Sequence, residues 1–369
     1  MHLVSFERRD NRRRNQSPPP SGGASSVDGE LDFDGPPGVR HLGAVLQLGP
    51  HAGWVVDLNR ALAIKLAYDD AGAPEAEADS LVPSDIISFL ERGPTARKAA
   101  KAALDFAIDS LDRYDAPDVL RAGAVVPLSA LRLHAPVARP GKIIGVSGSH
   151  PDPRNDTTAG RRVPELFLKA PSAVIGPDEE IELPSWDASF DFGGELAVVI
   201  GAPIRNATAE EAIESIAGYC VATDLSARFP ESSQSPSSPS SPSSSPNWGS
   251  DSIRKSCDTF SPLGPALVTP DELSNPDELA IRSSVSGEVV HISSMKELRF
   301  PVASIVTFAA SIMTLEPGDV ILTGTPGAPA IAGERRWLRD GDLIEVEIDS
   351  LGRLRNYVTS DSRGKARSG

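Results

Sequence analysis

The sequence predicts a β-rich α+β protein built in two parts. Short strand-like runs bounded by Gly, Pro or Asp outnumber helix-like runs from Lys142 onward. Helical periodicity is concentrated earlier, between Ser84 and Leu111. The chain of 369 residues is also longer than one ordinary domain of about 100–200 residues requires. Met1 to Glu7 reads as a strand through Leu3, Val4 and Phe6, and Leu42 to Leu58 resumes strand-like alternation through Val45, Leu46, Val55 and Val56. Ser84 offers an N-cap ahead of Ile86, Ile87, Phe89 and Leu90. A longer helix starts near Thr95, with Leu104, Ala107, Ile108 and Leu111 at helical spacing. Residues 1–139 are therefore expected to form a small N-terminal α+β domain. Within it, residues 8–39 are rich in Arg, Pro, Ser, Gly and Asp, which predicts a disordered insertion.

Residues 140–360 have a different texture. Lys142 to Val146, Glu195 to Gly201, Ala217 to Thr223, Asp319 to Thr323 and Leu343 to Asp349 all read as strands. Thr208 and Glu211 form a capping box for a helix through Ile213 and Ile216, and a second helix covers Val302 to Met313. A hairpin is expected over Ile348 to Arg353, turning at Leu351-Gly352. This pattern favours a mainly β or α+β domain over a doubly wound parallel sheet. From Ser232 to Pro246 every residue except Gln234 is Ser or Pro, so residues 231–247 are expected to be a solvated insertion inside this domain. Residues 361–369 are expected to be a flexible tail.

Composition removes several classes of function. The 36 Lys and Arg against 51 Asp and Glu give a formal charge of −15, which repels phosphate backbones and anionic lipid. No nucleic-acid or membrane partner is expected; the arginines at Arg8, Arg9 and Arg12 to Arg14 are too few and lack aromatic neighbours. Apolar runs such as Leu196 to Ile200 fall far short of the about 18 residues of a membrane span. Cys220 and Cys257 cannot make a disulfide framework. No apolar stretch follows the N-terminal arginines, so no secretory signal is read. A soluble cytoplasmic protein is the expectation.

Several words occur in a fixed order between Gly141 and Val358: Phe167-Leu168-Lys169-Ala170-Pro171-Ser172-Ala173-Val174, Glu195-Leu196-Ala197-Val198-Val199-Ile200-Gly201, Thr223-Asp224-Leu225-Ser226-Ala227-Arg228, Lys255-Ser256-Cys257-Asp258-Thr259-Phe260 and Glu316-Pro317-Gly318-Asp319-Val320-Ile321-Leu322-Thr323-Gly324-Thr325-Pro326. In this order they resemble the fumarylacetoacetate hydrolase family. The opening strand and helical pair resemble the N-terminal domain of its longer bacterial members. The resemblance implies a mixed β-sheet roll, commonly a homodimer. It also implies a Mg²⁺ or Mn²⁺ site for small 2-oxo or β-dicarbonyl acids such as acylpyruvates, oxaloacetate or fumarylacetoacetate. Cleaving or decarboxylating such an acid leaves an enolate, whose charge a chelated divalent cation stabilises.

The resemblance also assigns residues. Glu195 matches the second Glu of a Glu-x-Glu metal pair and Asp224 the Asp ligand, while the first Glu position is Gly193. Asp191 shares that face but lies two residues further along, where it would reach an ion only through water. Lys255 matches a lysine beside the metal and Arg228 a substrate-side arginine. Both also fit surface ion pairs. Glu231 falls where some members have Gln, and Phe229 replaces the usual acidic residue. In the family's catalytic word, Ser149 and His150 take the Asn and Tyr positions, Pro153 the His and Asp156 the Glu. Proline cannot act as a base. His150 is either a displaced base or a solvated loop residue, and Asp156 either a poor base or a loop carboxylate. Thr323-Gly324-Thr325 would offer N–H groups and a hydroxyl to a substrate carboxylate, or is a simple turn. Two functions follow. One is a metal-dependent hydrolase or decarboxylase working through a metal-stabilised enolate, with the lost base favouring decarboxylation or enol–keto isomerisation. The alternative is a catalytically impaired or metal-free homologue serving as a binding or scaffold subunit, or doing altered biosynthetic chemistry.

Overall fold

The computed structural model describes residues 1–9, 39–113, 122–150, 160, 162–229, 250–273, 275–325 and 336–360. The Ser/Pro tract at 231–247, the tail at 361–369 and all of the 8–39 insertion except Arg8, Arg9 and Val39 lie outside the described residues. The chain divides into two compact units, His2–Leu133 and Met1 with the residues from His134 onward.

In the N-terminal unit, β1 (His2–Arg8), β2 (His41–Val45), β3 (Trp54–Asp57) and β4 (Val125–Pro127) form an antiparallel sheet in the order β4-β3-β2-β1. β5 (Leu131–His134) pairs with β1. Four helices follow β3: α1 (Leu58–Tyr68), α2 (Pro74–Leu81), α3 (Ile86–Glu91) and α4 (Gly93–Leu111). The alternation over Leu42 to Leu58 is two strands, and Leu58 already belongs to a helix, because Asp57 accepts the Arg60 N–H as N-cap. α1 and α2 are absent from the sequence reading; α2 buries only Ala78, so it carries no apolar stripe to read. Asp85, not Ser84, caps α3. In α4 the buried face is the alanine row Ala96, Ala100, Ala103 and Ala107, with Ile108 exposed. Small residues there let neighbouring elements approach closely, so the periodicity was right and its large side chains were not the buried ones.

The C-terminal unit contains β6 (Ile143–Ser147), β7 (Glu165–Lys169), β8 (Val174–Ile175), β9 (Ile181–Leu183), β10 (Ser189–Ile200), β11 (Ile216–Arg228), β12 (Ser261–Val268), β13 (Ala280–Val285), β14 (Glu288–Ser294), β15 (Val320–Leu322), β16 (Leu343–Ile348) and β17 (Gly352–Ser360). Its helices are α5 (Ala209–Glu214), α6 (Asp251–Arg254) and α7 (Val302–Ile312). One mixed sheet runs β12-β11-β10-β15-β6-β7, with β15 parallel to β6. The other runs β14-β13-β16-β17-β9, with β17 parallel to β9. The fold is the strand-rich α+β arrangement that the sequence predicts. The capping box is present on both sides, Thr208 to Glu211 and back, although Ile216 opens β11 rather than extending α5. The hairpin joins β16 to β17 with Ile348 opposite Gly352.

β10 and β11 are the spine. Both are long and almost wholly buried, and they pair antiparallel over most of their length. Phe192, Leu196 and Val198 of β10 join a core with Leu225 of β11, Ile305 and Val306 of α7, and Ile344 and Val346 of β16. The pair Gly193-Gly194 sits in the middle of β10. A Cβ on Gly194 would lie 2.4 Å from Ser283 Oγ of β13, and one on Gly193 would lie 2.2 Å from Thr325 Cγ2. Neighbours therefore press on this strand from both faces, at a spacing that only glycine permits.

Candidate active site

The register sets which side chains meet. Gly193 lies opposite Asp224, so Glu195, two residues along β10, shares the face on which Asp224 stands. Asp224 is buried in mid-strand, and no peptide group satisfies it. Lysines do: Lys169 Nζ donates to Oδ1 at 2.5 Å, and Lys255 Nζ donates to Oδ2. Lys169 ends β7 and also donates to the Phe260 carbonyl at 2.8 Å. Lys255 follows α6 directly, and the Ala170 N–H donates to Ser256 Oγ at 2.9 Å, tying the Lys255 word to the end of β7. The Lys255 ammonium also lies 5.0 Å from the centre of the Phe167 ring, a cation–π contact that helps hold the side chain in place. That ring rests on Gly145, where a Cβ would lie 2.1 Å away. The sequence reading gave no role to Lys169 or Phe167.

The electrostatics follow from this enclosure. Burial is the largest influence on Asp224 and opposes its charge, but the ammonium groups of Lys169 and Lys255 outweigh it and hold the carboxyl below its usual range. Burial pushes Lys169 down, against the support of Asp224. Glu195 has no ammonium in contact. Burial, reinforced by the charge of Asp224, raises it to about 8, so it is largely a neutral acid at pH 7.

Glu195 Oε2 accepts the Gly324 N–H at 2.7 Å. Gly324 has φ +92°, and a Cβ there would lie 1.8 Å from Ser149 Oγ, so both backbone and space demand glycine. Thr323 turns away from the site: its N–H and hydroxyl donate to the Leu196 carbonyl at 3.0 and 3.1 Å. Thr325 lies against Gly193, and its Oγ1 is buried with no hydrogen-bond partner.

Other predicted residues fall elsewhere. His150 is not a solvated loop residue: it is 4% exposed, its Nδ1 lies 3.3 Å from Ser149 Oγ, and burial pushes it down to about 4 despite nearby Glu297. Arg228 does not join Lys255 but donates through Nε to both oxygens of Asp191, at 3.1 and 3.2 Å. Asp191 is thereby drawn to Arg228 rather than into the place of the missing ligand. Phe229 stacks on Trp186, with ring centres 5.9 Å apart. Pro153, Asp156, Glu231 and Pro326 lie outside the described residues.

The residues present do not fit a bound Mg²⁺ or Mn²⁺. Such ions need several oxygen donors. Here Asp224 already receives both lysines, Glu195 accepts the Gly324 N–H, and Thr325 occupies the space beside Gly193. Among the described residues no group of three His, Cys, Asp or Glu could hold a metal ion.

Residues 146–359 match the family model described as fumarylacetoacetate (FAA) hydrolase C-terminal. The chain belongs to the fumarylacetoacetate hydrolase family. It is 33% identical over 321 residues to oxaloacetate tautomerase fahd2, mitochondrial, of Xenopus laevis, covering 86% of this chain and 85% of that one. Among solved structures, 5-carboxymethyl-2-hydroxymuconate delta-isomerase from Mycobacterium smegmatis is 33% identical with TM-score 0.54, over 65% of this chain and 84% of that one. Maleylpyruvate hydrolase from Sphingobium sp. SYK-6, solved with manganese(II) and pyruvate, is 25% identical with TM-score 0.60, over 87% of this chain and 96% of that one. These relatives of the family are named as tautomerase, isomerase and hydrolase. No helix among the described residues is long and apolar enough to cross a membrane.

Proposed function

We propose that this protein is an enzyme that moves a proton on a small 2-oxo acid of the oxaloacetate or acylpyruvate kind, with enol–keto tautomerisation as its main reaction and decarboxylation as the related one. The observation that carries this reading is the meeting of Lys169 and Lys255 on Asp224, on the face that also bears Glu195. Lys255 is the ammonium with an exposed fraction, 13% of its side chain, and it receives the substrate carboxylate or enolate oxygen. Glu195 exchanges the proton: in ketonisation the enol O–H proton is lost, C3 gains one, and the electron pair of the enol C=C forms the new C–H bond. A carboxyl near pH 7 in protonation suits that exchange. In decarboxylation the C–C pair passes to the enolate as CO₂ departs, and the same acid protonates C3. Gly324 orients Glu195. His150 acts through Ser149, holding the Gly324 turn in place rather than reaching substrate. The names of the relatives support a 2-oxo acid substrate.

Hydrolysis needs an activated water, and the sequence puts Pro153 where the family has its base. A second reading, a homologue that binds without turnover, draws on Gly193 and the packing of Thr325 against it. The experiment presents oxaloacetate and an acylpyruvate to the full chain and follows enol absorbance, CO₂ and released acid separately. Enol loss above the uncatalysed rate, reduced about 10²-fold in Lys255→Ala, supports the proposal. Acid release from the acylpyruvate identifies a hydrolase instead. Binding of oxalate with no turnover of either compound identifies the binding subunit.

A further inference from the structure

The space beside Gly193 is filled. Thr325 occupies it: a Cβ on Gly193 would lie 2.2 Å from its Cγ2, 2.5 Å from its Cβ and 2.8 Å from its Oγ1. The nearest atoms belong to the root of a branched side chain, which cannot swing clear as the end of a long one can. The backbone beneath Thr325 is fixed as well. The neighbouring Gly324 N–H is bonded to Glu195, and Ser149 closes the other side of Gly324. A carboxylate at position 193 would therefore have to break the turn that holds Glu195.

On the other side of the face, the Asp224 carboxylate is used on both oxygens. Lys169 binds one oxygen and is itself anchored to the Phe260 carbonyl, and Lys255 binds the other beneath the Phe167 ring. Two lysines converge on one aspartate in a largely enclosed setting, where a charge-assisted contact to an anion is stronger than in water. The orphaned Thr325 Oγ1 on the same face is a hydroxyl with a free hydrogen-bonding position.

We infer that the ammonium groups of Lys169 and Lys255 stand in for the divalent cation, so that the site takes a 2-oxo acid anion or its enolate with no metal, and that Thr325 blocks the return of the third carboxylate. The inference rests on the 2-oxo acid reading above.

The test uses the full chain, metal-stripped, with oxalate as the enolate mimic and Mn²⁺ as the metal probe. Calorimetry should find the same oxalate affinity in excess chelator and in added Mn²⁺, and the affinity should fall about tenfold or more in Lys255→Ala, as expected for a lost charge-assisted hydrogen bond. Electron paramagnetic resonance should show no saturable Mn²⁺ binding below millimolar concentration. In a folded Gly193→Glu, Thr325→Gly double variant, Mn²⁺ binding should appear. Saturable Mn²⁺ binding by the wild type, with oxalate affinity that depends on it, overturns the inference and leaves the proposed function standing. Absence of oxalate binding under both conditions overturns the 2-oxo acid reading itself. A folded double variant that binds Mn²⁺ no better than the wild type overturns the role given to Thr325.

Discussion

Asp57 of the N-terminal unit and Asp224 of the C-terminal unit are both buried carboxylates among cations, and their settings are opposite. Asp57 stands at the end of β3, where the chain turns into α1. One oxygen accepts the Arg60 N–H at 3.2 Å, and the other lies 2.9 Å from His41 Nδ1 and 3.6 Å from Arg60 Nε. The nearby guanidinium groups also serve the backbone, Arg8 on the Gly123 carbonyl and Arg60 on that of Ala122. Asp57 is thus a joint that closes the polar ends of local elements. Asp224 sits in mid-strand with no local group to close, and it gathers lysines from two distant segments. Burying charge is costly, and fold stability alone seldom requires it. A carboxylate at a chain turn answers a structural need; one in the centre of a sheet answers a chemical one.

That contrast breaks if the two aspartates behave alike. Asp224→Ala should cost about 3–5 kcal/mol in urea unfolding, because it leaves Lys169 enclosed without its anion, and it should abolish turnover. Asp57→Ala should cost about 1–2 kcal/mol, the scale of a lost N-cap, and leave oxalate affinity unchanged. Loss of oxalate binding in a folded Asp57→Ala protein would sink the distinction.

The next largest effect is one of pH. His150 is held neutral down to about 4 in the folded chain, against about 6.5 unfolded. Between those values the unfolded chain binds the extra proton, so stability falls as pH falls, by about 3 kcal/mol across the window. His150→Gln should remove that slope in unfolding curves measured from pH 7 to pH 4; an unchanged slope would place the titration elsewhere.

Lys255→Ala should reduce turnover about 10²-fold, the usual loss on deleting one group that stabilises a developing oxyanion. Its stability should change little, since Lys169 keeps its bond to Asp224. A smaller effect is expected at another joint. Thr208→Ala removes one side of the α5 capping box and should lower stability by about 1 kcal/mol, with turnover unaltered. A change in turnover there would show that caps and catalysis are coupled in this fold.

Glu195, Asp224 and Lys255 were legible as candidates through the resemblance of the words that contain them, and the structure brings the three to one face, though not as a metal site. The capping box and the β16–β17 hairpin were legible because each lies in a continuous segment whose local pattern is strong. Lys169 was quoted within its word and given no role, because an alternating strand shows a terminal lysine as polar and cannot show that tertiary packing encloses it. For His150 the sequence left a displaced base and a solvated loop residue open, because the segment around Ser294 and Glu297 that interacts with it lies far along the chain. The packing of Thr325 on Gly193 joins β10 to the turn after β15, remote in sequence, and no local spacing encodes it. In the N-terminal unit, α1 was hidden because its cap, Asp57, ends a strand-like run, and α2 because charge and alanine leave it no hydrophobic face.

The contact between Thr325 and Gly193 also fixes the order in which this site can change. A lone Gly193→Glu step meets a filled space and must displace the turn that orients Glu195, so it is penalised before any benefit is available. Shrinking Thr325 first opens the space and leaves the strand intact, after which a carboxylate at position 193 becomes tolerable. A three-carboxylate site is therefore reached from this one through residue 325 first, and the present arrangement is guarded by the order of the steps as well as by its own packing.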